Sequence, residues 1–402
     1  MIITRKLGAV AAFAAAAFVM TACSSGDSDD GGATAAAEEA AETTETSDAM
    51  ESEGTDDGAM ESDYSEALQM AFDGIGSTLD DLEPVTAESG LSLYVVSCGE
   101  QVPGCAVPAA AVKEAAETAG WSSTIADGKL NPEGFATAIR QAVAGGADII
   151  VPIGIGCAVA QAAFQEAVDA GITVIGGGGV DDCDPKLWGS ERLWLEDYTP
   201  IEQWEAFGAM QAAYATGATD GDVKAVVLNF TTQVWGQWIT DGFTKELEEL
   251  GGGEVVEVVD ISDPETADGS YIQKATTALL NHPDANVLIA PVDGWFTNGL
   301  SAAIVQAGVD DQYTVIGRGG DEPALALIKQ GDAGLDATVG FAVQWGAWGS
   351  VDTAARILAG MEPVYIGESI QVIDADHNMP SEGLYTGSVD YQALFKEAWG
   401  VS

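Results

Sequence analysis

One short unit occurs twice in this chain, and the repeat narrows the possible folds more than any other feature. "ADIIVPIG" (residues 147–154) leads through a segment of helical period into "TVIGGGG" (173–179). "ANVLIAPVDG" (285–294) leads through another into "TVIGRGG" (314–320). Both read as strand, helix, strand: a short apolar run, an apolar pattern of helical period, then a second run. The runs are continuous rather than alternating. A strand that is apolar at every position is buried on both faces, which belongs to a parallel sheet covered by helices.

The alternation extends outward from both copies. "LSLYVVS" (91–97) precedes a helical stretch at 107–119, and "WSSTIAD" (121–127) precedes one at 132–144. In the second half "VKAVVLNF" (223–230) precedes a helix reaching 250, and "EVVEVVDI" (254–261) follows it. "QWEAFGAMQAAYATG" (203–217) is apolar enough to be a helix entering the second half. The expected fold class is therefore α/β, with two tandem parallel-sheet lobes. Ligands of open parallel sheets sit beyond the carboxyl ends of the strands. Two such lobes facing each other line one cleft with the loops at 97–104, 154–157, 176–184, 229–238, 293–298 and 318–321.

The glycine run 176–179 lacks the Lys-Ser/Thr of a phosphate loop and the spacing of a dinucleotide turn. Close backbone approach to a ligand or a neighbouring loop is its expected use. Trp235, Trp238, Trp295, Trp345 and Trp348 fall in or beside the cleft loops. An indole is a broad apolar plate with one donor, suited to the apolar face of a sugar ring. Packing in a core is as ordinary a use for any one of them.

The N-terminus is different in kind. Arg5 and Lys6 precede an apolar run at 7–20, shorter than the ~20 residues that a membrane-crossing helix needs. A basic start, a short apolar middle and small residues describe a secretory signal. Met20-Thr21-Ala22-Cys23 resembles the bacterial lipobox, in which cleavage precedes a cysteine that takes the lipid. Residues 24–90 hold 20 Asp/Glu and no Lys or Arg. Such a composition buries too little apolar surface to order itself, and its like charges extend it. A disordered stalk is expected, within which "YSEALQMAF" (64–72) could form a short helix against the folded part.

The whole chain sets 64 acidic residues against 14 basic ones, a formal charge of −50. A surface this negative repels nucleic acid and anionic headgroups, so nucleic acid is not an expected partner. Four cysteines remain beyond Cys23: Cys98, Cys105, Cys157 and Cys183. An even number in an exported chain favours disulfides, and neither CxxC spacing nor a nearby histidine supports a metal. The expected pairs are Cys98–Cys105, within one loop, and Cys157–Cys183, across the loops after two successive strands of a βαβ unit.

Five segments, in this order, resemble a type I periplasmic binding protein, the solute receptor of an ABC importer. They are "AVAGGADIIVPI", "AVDAGITVIGG", "NHPDANVLIAPVDG", "YTVIGRGGDEPALALIKQG" and "AARILAGMEP". Within that family the ribose and other simple-sugar receptors are most similar, over residues 91–371. The resemblance implies a hinge of three crossings, placed at 195–197, 341–344 and 372–375, and lobes that close on the ligand. The domain plan is then a signal peptide at 1–22 and a lipid-anchored acidic stalk at 23–90. A first lobe occupies 91–196 plus 342–373, and a second lobe 197–341 plus 374–402.

Carried over residue by residue, Asp293 matches the acid of the family's strand-end motif, which contacts sugar hydroxyls or lies just behind them. Gln237 falls near an arginine of the ribose receptors, and Gln344 lies at the second crossing. Trp235, Trp295 and Trp345 are the candidate stacking surfaces, with Gln101, Asp182 and Arg318 as further polar candidates. The chain departs from the family where Gly178 and Gly179 stand in place of Asp-Arg, and where "SCGEQVPGC" replaces a first loop bearing aromatics. That departure argues against ribose itself.

The function expected is that of a monomeric, extracytoplasmic solute-binding lipoprotein. It sits in the cell envelope, at the outer face of the cytoplasmic membrane or in the periplasm, and delivers a small sugar to an ABC permease. No cofactor, metal or catalytic residue is assigned. An enzyme is the rival class, but the chain has only His282 and His377, and no GxSxG, HExxH or P-loop. Transcription regulators share the fold but begin with a DNA-binding head, where this chain has a signal and an acidic segment. Nucleosides, branched-chain amino acids and autoinducer-type furanoses are the alternative solutes, and a sensory receptor would have the same binding half. For an amino acid, Asp293 and Arg318 would hold the ammonium and the carboxylate.

Overall fold

The computed structural model describes residues 57–76, 79 and 82–401. The signal segment, Cys23 and the first half of the acidic segment lie outside them. After α1 (Asp57–Asp73), the chain forms β1 (Ser92–Ser97), α2 (Pro103–Thr118), β2 (Ser122–Asp127), α3 (Pro132–Ala144), β3 (Ile149–Pro152), α4 (Gln161–Asp169) and β4 (Thr173–Val174). Next come α5 (Pro200–Ala218), β5 (Val223–Phe230), α6 (Val234–Leu250), β6 (Gly253–Ile261), α7 (Asp263–Asp268) and α8 (Ser270–Asn281). β7 (Val287–Ile289), α9 (Ser301–Ala307), β8 (Thr314–Gly319), α10 (Glu322–Gln330) and β9 (Ala337–Phe341) continue the alternation. α11 (Val343–Leu358), β10 (Ile370–Ile373) and α12 (Tyr391–Trp399) follow.

Two sheets result. The first has the order β2-β1-β3-β4 and is parallel throughout. The second has the order β10-β9-β8-β7-β5-β6 and is parallel except for β10. The repeated units are β3-α4-β4 and β7-α9-β8. β3 and β7 are buried along their whole length, as strands covered by helices on both faces must be. Helix starts follow local chemistry. Asn131 accepts from the Gly134 N–H ahead of α3, Thr199 and Glu202 form a reciprocal capping box ahead of α5, and proline opens both helices. α6 ends at Gly251, whose φ of 64° is the left-handed conformation that glycine adopts freely.

Three boundaries differ from the sequence expectation, each through contacts between distant parts of the chain. Residues 57–73 are helix rather than stalk, extending the short helix that 64–72 offered: α1 packs on α5, and Tyr64 Oη donates to the Gly251 carbonyl at 3.2 Å. Ile75 then exchanges both backbone hydrogen bonds with Ile370, at 3.0 Å each. Further on, the Glu83 carbonyl accepts from Arg356, the Val85 N–H donates to Ala398, and the Glu88 carbonyl accepts from the Trp121 indole. The described residues before β1 thus touch the second lobe, β10 and the first lobe. They add a connection between the lobes beside the hinge crossings.

The second difference is β10, expected in the first lobe. Ile370–Ile373 instead pair antiparallel with β9 in the second sheet, so the chain crosses before β10 as well as after it, on the way to α12. The third is α12, expected in the second lobe. It packs on α11, which itself covers α2 of the first lobe. Trp399 stacks on Trp348 with centroids 5.4 Å apart, and its indole N–H donates to Asp352 Oδ1 at 2.9 Å. A short late strand or a terminal amphipathic helix carries no local mark of the lobe it will join.

Candidate functional site

The carboxyl ends of the two sheets face each other across a cavity of about 180 Å3. That is room for on the order of ten waters, or for one small ring compound. The lobes already touch at its rim: the Trp235 indole approaches the Gly154 carbonyl at 3.4 Å, and the Gly156 N–H donates to Gln233 Oε1 at 3.0 Å.

The first lobe contributes the loop after β1, closed by the Cys98–Cys105 disulfide, then Leu130, Phe135 and the glycine-bearing ends of β3 and β4. Cys157–Cys183 ties the loops after β3 and β4 just behind this wall. Both bridges join the pairs expected, each with Cα atoms 5.4 Å apart, inside the range disulfides require. Cys157, Asp181 and Cys183 lie close enough to resemble a metal cluster. However, the two sulfurs are bonded to each other, and Asp181 instead accepts from the Leu187 and Trp188 N–H groups. The glycine run serves backbone packing: a Cβ at Gly177 would stand 2.6 Å from the Pro152 carbonyl.

The second lobe supplies aromatic plates and most of the polar groups. Trp204 and Phe207 come from the first turns of α5, and Trp235 stacks on Trp204 at 5.0 Å and 19°. Arg318, at the end of β8, lies over Trp204, Phe207, Trp235 and Phe341, 4.3–5.5 Å from their centroids. Its Nη1 donates to the Pro291 carbonyl at 3.1 Å. Four rings around one guanidinium replace much of its hydration by cation–π attraction. Trp295, 1 % exposed, lines the cavity with its indole bonded to Thr266 Oγ1. At the hinge Arg192 pairs with Glu368, whose backbone carbonyl accepts from the Trp194 indole.

Asp293 is present but turned to the protein. Its Oδ2 accepts from the Gly320 N–H at 2.7 Å, and Thr338 Oγ1 stands 2.9 Å from both carboxylate oxygens. A Cβ at Gly319 would be 2.8 Å from that carboxylate, which is why "GRGG" can wrap it. Asp293 therefore shapes the Arg318–Gly320 turn from behind. Burial pushes its carboxyl above the usual range, and the nearby Asp321 charge adds to the shift. Burial lowers the value of Arg318, which nonetheless stays cationic at neutral pH because its ordinary value is so high.

Of the sequence candidates, Trp235, Asp293, Trp295 and Arg318 meet at the cavity. Five do not line it. Gln101 and Asp182 are exposed, the latter accepting from the Ala158 N–H. Gln237 is also exposed and bonds to Asn229 and Asp241. Gln344 is half-buried outside the cavity lining. Trp345 stacks on Tyr391 inside the first lobe, because α11 turns that face to α12. Sequence reading missed Trp204, Asp263 and the Arg192–Glu368 pair. The first was read as helix alone. Asp263 follows the end of β6, a position that the strand-end rule already marks.

A sequence profile described as a periplasmic binding protein domain matches residues 103–362. The chain belongs to the type I periplasmic binding protein family. No curated protein sequence matches it. Among solved structures, a galactofuranose binding protein has a TM-score of 0.59 and 17% identity, covering 77% of this chain and 99% of its own. A glucose-galactose binding protein from Geobacillus stearothermophilus has 0.60 and 17%, covering 73% of this chain and 100% of its own. An ABC transporter solute binding protein from Agrobacterium vitis, with bound allitol, has 0.60 and 15%, covering 72% and 96%. At these identities the similarity is one of fold.

In this periplasmic binding protein one acid gives a pH prediction. Asp263, 2 % exposed, has its carboxyl raised to about 7 by burial, against a lowering hydrogen bond from Gln233. A folded-state value above the ordinary one means the fold favours the neutral acid. That contribution is full below the ordinary value of 3.8 and is lost as pH rises through about 7. Asp263→Asn, relative to the parent, should therefore gain on the order of 2 kcal/mol of stability between pH 5.5 and 8. Urea unfolding of both proteins at the two pH values checks this.

Proposed function

We propose that this periplasmic binding protein is the extracytoplasmic receptor of an ABC importer. It holds a small sugar or sugar-like polyol between its lobes and hands it to a membrane permease. One observation carries the reading: the cavity combines indole and phenyl plates with a few carboxylate, amide and guanidinium groups. A ring with C–H faces and hydroxyl edges needs that mixture. Proteins of similar fold named for galactofuranose, glucose and galactose support it. Neither His282 nor His377 lines the cavity; they pair with Glu257 and Asp374, which suits binding rather than turnover. The amino-acid alternative loses its ammonium anchor, since the Asp293 carboxylate is engaged by Thr338 and Gly320.

A thermal-shift panel of sugars, polyols, nucleosides and amino acids tests the reading. A true ligand at 100 times its dissociation constant adds ~2.7 kcal/mol to stability. Shifts with nucleosides or amino acids, and none with sugars or polyols, would overturn it. In the same reading the protein is a monomer anchored through a lipid on Cys23. Cys23→Ala should leave it unprocessed or released from membranes; unchanged processing and membrane attachment in cell fractionation would remove the anchor.

A further inference from the structure

The two sides of the cavity differ in chemistry. From residue 98 to residue 178 the first lobe presents aliphatic, aromatic, disulfide and glycine surface, with no charged or amide side chain. Val102, Val107, Leu130, Phe135 and Ile153 set its character. The polar side chains, among them Gln203, Gln233, Asp263, Thr266 and Asn298, come from the second lobe, apart from Arg192 and Glu368 at the hinge. Among the described residues, four lining side chains carry a buried polar atom without a protein partner. They are Asp263 Oδ2, Arg318 Nε, Arg192 Nε and Glu368 Oε1. All four lie on the second lobe or at the hinge, and none on the first-lobe wall.

We propose that the solute is a sugar with one face or edge stripped of hydroxyls: a deoxy sugar or an O-methylated one. The inference rests on the sugar reading above and narrows it. The hydroxyls meet Asp263 and its neighbours on the second lobe, and the methyl or methylene positions meet the first-lobe wall when the lobes close. A hydroxyl turned to that wall loses water and finds no side-chain partner, at a cost of roughly tenfold in affinity. A methyl in the same place gains roughly fourfold from burial. The asymmetry is a property of this cavity's walls, and it selects against a ring that is hydroxylated on every side.

Isothermal calorimetry on the full chain decides the matter with matched pairs. Each 6-deoxyhexose is titrated beside its parent hexose, and each methyl glycoside beside its free sugar. In at least one stereochemical series the deoxy or methylated member should bind tenfold or more tightly than its partner. Parents that bind as tightly or more tightly in every series overturn this inference while the sugar reading stands. A panel in which no sugar binds, but a nucleoside or amino acid does, overturns both. Val107→Thr adds one hydroxyl to the wall at nearly constant volume and should narrow the preference several-fold. An unchanged ratio in that variant, with a parental melting temperature, also overturns the proposal.

Discussion

Arg356→Met should lower the free energy of unfolding by about 3–5 kcal/mol, the largest effect expected of a single change outside the cavity. Arg356 and Asp352 are both 0 % exposed and bonded Nε to Oδ2 at 2.6 Å on successive turns of α11. Removing the cation leaves Asp352 charged and buried, with only the Trp399 indole and the helix around it. It also removes the donor that holds the Glu83 carbonyl, so the segment ahead of β1 loses one of its fastenings to the first lobe. Asp352→Asn in the same chain should recover much of the loss, because no uncompensated charge then remains. Denaturant unfolding of the single and double variants measures this directly. Equal losses in both would mean that packing, and not charge, governs the site.

Trp235→Ala should weaken ligand binding by more than tenfold and also cost about 3–5 kcal/mol of stability. The indole has three roles at once. It stacks on Trp204, forms one side of the ring box around Arg318, and reaches across to Gly154 of the first lobe. Without it the guanidinium loses a wall and the closed arrangement loses a contact between lobes. Trp235→Phe keeps an aromatic plate but drops the N–H, so it should bind within a few-fold of the parent and retain most of the stability. Calorimetry with the ligand found by the thermal-shift panel separates the two. If alanine binds as tightly as the parent, Trp235 belongs to the core and not to the site.

The α/β class, the repeated βαβ units and both disulfides were legible in the sequence because each depends on residues close along the chain. β3 and β7 announce themselves as short runs buried on both faces, and the cysteine pairs are only 7 and 26 residues apart. Asp293, Trp235, Trp295 and Arg318 reach the cavity lining for the same reason, since each sits at or just after a strand end. The tertiary structure alone decided which lobe received β10 and α12, and that residues 57–75 and 83–88 fasten to both lobes. Those outcomes depend on Ile75 meeting Ile370, Trp399 meeting Trp348, and Arg356 meeting the Glu83 carbonyl. It also decided that Trp345 and Trp348 face the core while Trp235 faces the cavity, and that Asp293 stands behind its turn. The sequence by itself determined which strands would be buried and where their ends would be. Which side chains turn toward the ligand was left to packing, because an indole or a carboxylate has the same local pattern whether its partner is solute or protein.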